Sequence, residues 1–144
     1  MIFWDSSSVL PLLVTEDCSG AAAEMLRADP DMAIWWGTRV ECVSALARLE
    51  REDTLPMAAI AEALRRIGHI ESQSWIIEPV EGVKQEAERL LRRHPLRAAD
   101  ALQLAAACVL RAESSLLEFA SEDEGLATAA FREGFSLRRL RADA

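Results

Sequence analysis

The sequence predicts an α/β protein, a three-layer α/β/α sandwich with a central parallel sheet of about five strands. Short runs rich in aromatic and β-branched residues recur along the chain, and apolar stretches with helical periodicity separate them. Strands joined by helical crossovers lie parallel, with helices on both faces of the sheet. The length of 144 residues and the 51% hydrophobic content suit one core, so we expect residues 1–144 to form a single domain.

Five segments have the composition of buried strands. The first, IFW, is entirely apolar and runs directly into an acid, and the others combine Ile, Trp, Phe or Leu with a nearby break such as Gly37 or Pro79. The predicted strands are residues 2–4, 32–36, 74–79, 116–121 and 135–140.

The segments between the strands carry apolar residues at helical spacing. Pro56 suits the first turn of a helix, and Gly134 is placed to end one. The predicted helices are residues 8–14, 18–28, 39–52, 56–70, 82–93, 100–111 and 126–133.

The charge pattern combines an acidic total with an arginine-rich basic set. The net charge is −8, which argues against non-specific nucleic-acid binding, yet the sixteen basic residues are fifteen arginines and Lys84. Arginine binds phosphate with two parallel hydrogen bonds, so a basic rim around an acidic pocket is compatible with this composition. The arginines cluster at 65–66, 92–97 and 138–141.

Other sequence features indicate a cytoplasmic protein without a membrane segment. No apolar run is long enough to span a bilayer, and no signal-peptide pattern is visible. The three cysteines, Cys18, Cys42 and Cys108, form no CxxC pair, which favours reduced thiols. His69 and His94 lack metal-ligand spacing, and we expect both at the surface.

Acidic residues follow several of the predicted strands. Asp5 comes directly after the first strand, Glu41 lies shortly after the second, and residues 122–124 follow the fourth. The carboxyl ends of parallel strands meet at one edge of a sheet, where ligands of open α/β folds bind. Asp100 begins the most apolar helix of the chain and would join these acids if that helix packs beside the same edge.

Each acid could also have a purely structural role at the start of a helix. Asp5 and Asp100 could each accept hydrogen bonds from the start of a helix, and Thr38–Glu41 and Ser121–Glu124 fit the capping box. A group of carboxylates, however, repels itself unless a cation neutralises it, and Mg²⁺ prefers oxygen ligands. Two such ions can bind the attacking and leaving oxygens of a phosphodiester.

Four stretches carry a family resemblance. They are FWDSSSVL, TRVECVSALAR, LRAADALQLAAA and FASEDEGLATAAFREGF, and their order and spacing span essentially the whole chain. In these stretches the sequence resembles the PIN-domain family, and within it the VapC-type toxins of bacterial toxin–antitoxin pairs. The resemblance implies a PIN-like α/β/α sandwich and an endoribonuclease that depends on Mg²⁺ or Mn²⁺.

The resemblance also assigns residues and partners. It implies metal-binding and catalytic roles for Asp5, Glu41, Asp100 and Asp123, with the hydroxyls of Ser7 and Ser121 as supporting or substrate-positioning groups. It implies an RNA substrate, a cognate antitoxin protein and a homodimer.

The chain departs from many relatives at Pro11 and Gln103, where they often carry a basic residue and a histidine or other polar residue. An alternative interpretation is a catalytically inactive PIN-like module that binds RNA or a partner. A weaker alternative takes Asp5 as a phosphoryl acceptor, but the DSSSV stretch has no second acid beside it and Lys84 falls within a predicted helix.

Overall fold

The computed structural model describes residues 1–141, and within them the chain alternates between strands and helices. The strands are β1 (Ile2–Trp4), β2 (Met32–Trp35), β3 (Trp75–Ile77), β4 (Glu118–Ala120) and β5 (Leu137–Arg138). The helices are α1 (Ser6–Leu13), α2 (Ser19–Ala28), α3 (Thr38–Arg51), α4 (Met57–Gln73), α5 (Glu81–Arg93), α6 (Ala98–Arg111) and α7 (Glu124–Arg132). No helix in this part of the chain is long and apolar enough to cross a membrane.

The five strands form one sheet in the order β3-β2-β1-β4-β5, and every pair is parallel. Ile2 of the central strand β1 is in register with Met32 of β2 on one side and with Glu118 of β4 on the other. The carboxyl ends of β1, β2 and β4 therefore lie side by side at one edge.

Helices cover both faces of this sheet, because the strands are apolar on both sides. Ile2 and Trp4 pack into a core with α1 to α4, whereas Phe3 packs into a second core with α5, α6 and α7. This alternation follows from the two-residue period of a strand. The predicted three-layer α/β/α class with a parallel sheet of five strands is thus confirmed.

Several element boundaries differ from the predictions. Helix α1 begins at Ser6 rather than at residue 8, because Asp5 caps it, and β5 has only two residues rather than six. Trp36 lies beyond the end of β2 and is 53% exposed. Strand β3 forms an edge of the sheet, so Trp75 is exposed as well.

One predicted surface residue is buried. His94 lies directly after α5 with its side chain 5% exposed, and its Nε2 is 2.6 Å from Oε1 of Glu133 at the end of α7. Arg89 also pairs with Glu133. The expectation that His94 is exposed was wrong, because this polar cluster joins α5 to α7; His69 is exposed, as expected.

Candidate functional site

The four acids singled out in the sequence line one pocket at the carboxyl edge of the sheet. Asp5 follows β1, Glu41 lies in the first turn of α3, Asp100 lies in the first turn of α6, and Asp123 precedes α7. The pocket has a volume of about 180 Å³ and is lined by Asp5, Ser6, Ser7, Leu10, Glu41, Cys42, Ala45, Asp100 and Asp123. The structure therefore brings the four carboxylates together, while their catalytic and metal-binding roles stay predictions.

Asp5 is the most buried of these acids, with 2% of its surface exposed. It is the N-cap of α1, where Oδ1 accepts a hydrogen bond from the Ser8 amide at 3.1 Å. Burial raises the pKa of Asp5 to about 6, and the hydrogen bonds from Ser7, Ser121 and Ser8 only partly oppose this rise. The capping explanation of Asp5 is thus correct, and it does not exclude a second role.

Ser7 and Ser121 hold Asp5 in place and tie it to the loop after β4. The Ser7 hydroxyl donates to both oxygens of Asp5, at 2.8 and 2.9 Å, and accepts from the Glu122 amide. The Ser121 hydroxyl donates to Oδ2 of Asp5 at 3.0 Å and accepts from the Asp123 amide. Both hydroxyls therefore orient the buried carboxylate, while the supporting or substrate-positioning role predicted for them stays a prediction.

Glu41 is oriented by a residue whose role the sequence did not reveal. The Nε2 of Gln103, which is fully buried, donates to Oε2 of Glu41 at 2.6 Å and to Oγ1 of Thr38 at 3.0 Å. Burial raises the pKa of Glu41, and the negative charges of Asp5 and Asp100 add to the rise against the hydrogen bond from Gln103. The sequence feature that could have indicated this role is the spacing on α6, because Gln103 lies one helical turn after Asp100 and therefore on the same face of the helix.

Asp100 is not a helix cap. The N-cap of α6 is Arg97, and the Asp100 carboxylate makes no hydrogen bond or ion pair with any residue in the described part of the chain. Partial burial raises the pKa of Asp100, the charge of Asp123 raises it further, and the charge of Arg97 lowers it. Asp100 is thus a partly buried carboxylate beside another acid, and its only structural support among the described residues is its position in the first turn of α6 and the nearby charge of Arg97.

Neither predicted capping box forms. The N-cap of α3 is Gly37, and Thr38 lies inside the helix, where its hydroxyl accepts from Gln103. The N-cap of α7 is Asp123 rather than Ser121, and its Oδ1 accepts from the Leu126 amide at 2.8 Å. Capping therefore accounts for Asp5 and Asp123 but not for Glu41.

The donor atoms of the pocket suit a hard cation. Its lining supplies carboxylate and hydroxyl oxygens, and none of the nine lining residues is Lys, Arg or His. Within residues 1–141, no three acidic, histidine or cysteine side chains are already arranged as a metal-binding group. Mg²⁺ usually keeps several waters and binds through one or two carboxylates, so it does not require a closed protein cage. The residues fit such an ion by chemistry.

Comparisons with known proteins give structural relatives alone, since neither a protein-family model nor a curated protein sequence matches the chain. A chain of a toxin–antitoxin complex from Klebsiella pneumoniae is 19% identical, with a TM-score of 0.64, over 88% of this chain and 91% of that chain. FitAcB from Neisseria gonorrhoeae is 17% identical, with a TM-score of 0.64, over 95% and 96%.

VapC20 from Mycobacterium tuberculosis, a toxin that cleaves the sarcin–ricin loop, is 20% identical, with a TM-score of 0.62, over 94% of this chain and 96% of that chain. Each match spans most of both chains, so the similarity concerns the whole sheet and its helices. The chain therefore shares its fold with these three structures, in agreement with the fold that the sequence resemblance predicted.

Proposed function

We propose that the protein is a metal-dependent endoribonuclease of the VapC type, the toxin of a toxin–antitoxin pair. The observation that carries the proposal is the convergence of four carboxylates from separate elements on one pocket without a basic residue. The shared fold supports it, since one structural relative is named as a toxin that cleaves the sarcin–ricin loop, an RNA element.

Asp5, Glu41, Asp100 and Asp123 are the residues that would hold Mg²⁺ or Mn²⁺. The ion, when bound, supplies positive charge for the phosphate oxygens and lowers the pKa of a bound water. Hydrolysis then forms a bond between the water oxygen and phosphorus, breaks the bond from phosphorus to one ribose oxygen, and moves a proton to that leaving oxygen.

The protein's own groups prepare this pocket before any ligand binds. Ser7 and Ser121 fix the orientation of Asp5, and Gln103 fixes that of Glu41. Such preorganisation matters because misplacing a reacting group by about 1 Å can lower a rate by about a hundredfold. The exposed side of the pocket, at Asp123, leaves an approach for the substrate.

The alternative function, an inactive binding module, explains only half of the pocket. Asp5 and Asp123 cap helices, which a binding module needs too. Glu41 and Asp100 cap nothing, and their pKa values are raised by burial and by neighbouring acids, so both cost stability in the metal-free protein. An enzyme that binds a cation has a reason to keep them.

The two functions differ in the effect of these non-capping acids. We expect the wild-type protein to cleave members of a panel of structured RNAs with Mg²⁺ and to be inactive in EDTA. Glu41→Gln and Asp100→Asn should each lower the cleavage rate by several orders of magnitude. Glu50→Gln, which removes an exposed acid from the same helix as Glu41, is the matched control and should cleave like the wild type. Absence of metal-dependent cleavage by all four proteins would favour the inactive module, and equal non-zero rates would exclude Glu41 and Asp100 from the catalytic site.

The antitoxin and the homodimer are proposals that the same resemblance supports. The matched chain from Klebsiella pneumoniae belongs to a toxin–antitoxin complex. In this chain a groove of about 400 Å³ offers a mixed apolar and charged surface for a partner helix, and it is lined by Leu12, Leu26, Ile70, Glu62, Arg65, Arg66 and His69. Light scattering would give twice the chain mass of 15.9 kDa for a homodimer.

A further inference from the structure

A second cleft adjoins the acidic pocket and has the opposite character. It has a volume of about 450 Å³ and shares Ser6, Glu41 and Ala45 with the acidic pocket. Its remaining lining residues are Ser44, Arg48, Arg51 and Arg97. The two cavities therefore form one continuous depression, acidic at one end and basic at the other.

The arginines of this cleft differ from most others in the chain. Nine of the fifteen arginines form an ion pair or a hydrogen bond. The side chains of the other six form neither with any residue between 1 and 141: Arg48, Arg51, Arg92, Arg97, Arg132 and Arg141. Three of these six line the same cleft. Three positive charges in one cleft, none of them in an ion pair with a residue between 1 and 141, favour an anion from outside the chain.

The helical spacing places these charges in a line that leads away from the acids. Arg48 lies seven residues after Glu41 on α3, which is about 10.5 Å along the helix axis, and Arg51 lies about 15 Å from Glu41. Arg97 precedes α6, and its charge is near enough to act on Asp100 in the acidic pocket. A strand that leaves the pocket over α3 therefore meets positive charge on both sides.

We propose that Arg48, Arg51 and Arg97 bind the backbone phosphates of an RNA strand beside the scissile bond. This inference rests on the proposed function and names the positioning residues for its substrate. A pocket of four carboxylates repels an RNA backbone, as does the net charge of −8, so productive binding requires cations nearby. Guanidinium groups meet this need because they bind phosphate with two parallel hydrogen bonds.

The test measures RNA binding apart from cleavage. Fluorescence anisotropy with a labelled single-stranded RNA in EDTA reports affinity while metal-dependent cleavage is blocked. We expect Arg48→Gln, Arg51→Gln and Arg97→Gln each to weaken binding by roughly three- to tenfold. Each should also make the negative slope of the logarithm of the association constant against the logarithm of the salt concentration shallower by about 0.7. With Mg²⁺ present, KM should rise while kcat changes little.

Arg92→Gln is the matched control. It removes the same charge from an exposed arginine that has no partner among residues 1–141 and lies outside the cleft, so affinity should stay within about twofold of the wild type. The three cleft arginines are also exposed, so all four variants should melt like the wild type.

Three outcomes would overturn the inference. The first is that the wild type does not bind RNA in EDTA. The second is that the cleft variants bind RNA with the affinity and salt dependence of Arg92→Gln. The third is that a labelled polyaspartate peptide binds as tightly as RNA and is weakened by the same substitutions. The proposed function fails separately. If the protein binds RNA through these arginines but cleaves no RNA with Mg²⁺, the RNA-binding role of the cleft is supported and the proposed nuclease activity is excluded.

Discussion

At the scale of single residues, Asp5 is both the cap of α1 and one of the four acids of the pocket. Its carboxylate caps α1 and accepts from Ser7 and Ser121, yet it lies in the pocket with three other acids. A cap alone does not need a charge, because Asn and Ser cap about as well as Asp. The charge is therefore the part of Asp5 that the fold does not require.

This leads to a prediction about pH and stability without metal. The pKa of Asp5 is raised from 3.8 to about 6, so the folded state binds a proton more tightly than the unfolded state. Protonation of Asp5 therefore adds roughly 2–3 kcal/mol to the free energy of unfolding below pH 4. This contribution is lost as the pH rises towards 6 and above. In EDTA, the stability of Asp5→Asn relative to the wild type should increase by that amount between pH 4 and pH 7. Chemical denaturation of both proteins checks this, and parallel curves would contradict it.

The identity of the acids could be predicted from the sequence, but their supports could not. Asp5 follows β1 directly, Glu41 and Asp123 follow β2 and β4 after short breaks, and the parallel sheet brings these strand ends together. The bond from Gln103 to Glu41 joins α6 to α3 across 62 residues, and that from His94 to Glu133 joins α5 to α7. Local pattern carries no information about such pairs, which depend on how the helices pack.

At the scale of elements, the turn between β2 and α3 sets the position of Glu41. Gly37 is the N-cap of α3 and makes no side-chain capping bond. A Cβ atom at Gly37 would lie 2.5 Å from Nε1 of Trp35, whose bulky ring is largely buried. The glycine is therefore needed for close packing rather than for an unusual backbone angle.

We predict opposite effects of alanine at two glycines. Gly37→Ala should destabilise the protein by about 1–3 kcal/mol, because the ring of Trp35 or the start of α3 must shift. Gly20→Ala in α2 meets no atom within 4 Å and should stabilise by up to about 1 kcal/mol through helix propensity. Urea denaturation of both variants checks the pair. A neutral Gly37→Ala would show that the turn adapts freely.

The strands were predictable in position but not in length. Apolar and aromatic composition located all five, while their ends depend on hydrogen bonds to neighbours. Strand β5 pairs only with β4, at two residues, so most of the predicted 135–140 segment lies outside the sheet. Similarly, α1 begins two residues early because Asp5 accepts from the Ser8 amide.

At the scale of the whole molecule, a bound ion should raise stability. A ligand that binds only the folded state stabilises it by roughly 1–3 kcal/mol at ten to one hundred times its Kd, which corresponds to a rise in Tm of about 3–10 °C. We expect this rise with Mg²⁺ or Mn²⁺. The Asp100 carboxylate forms no hydrogen bond or ion pair with residues 1–141. Asp100→Asn should therefore lose most of the rise in Tm with metal, while its Tm without metal stays equal to that of the wild type or increases. A variant that responds to metal like the wild type would exclude Asp100 as a ligand.

The central claim is that the buried acid after β1 holds a metal ion for RNA cleavage. The most direct measurement compares initial rates of RNA cleavage with Mg²⁺ for the wild type, Asp5→Asn and the exposed control Asp17→Asn, with melting of each preparation in EDTA. We predict that Asp5→Asn melts at the same temperature as the wild type or higher, yet cleaves more slowly by several orders of magnitude, while Asp17→Asn is unchanged. Full cleavage by Asp5→Asn would contradict the account and leave Asp5 as a helix cap.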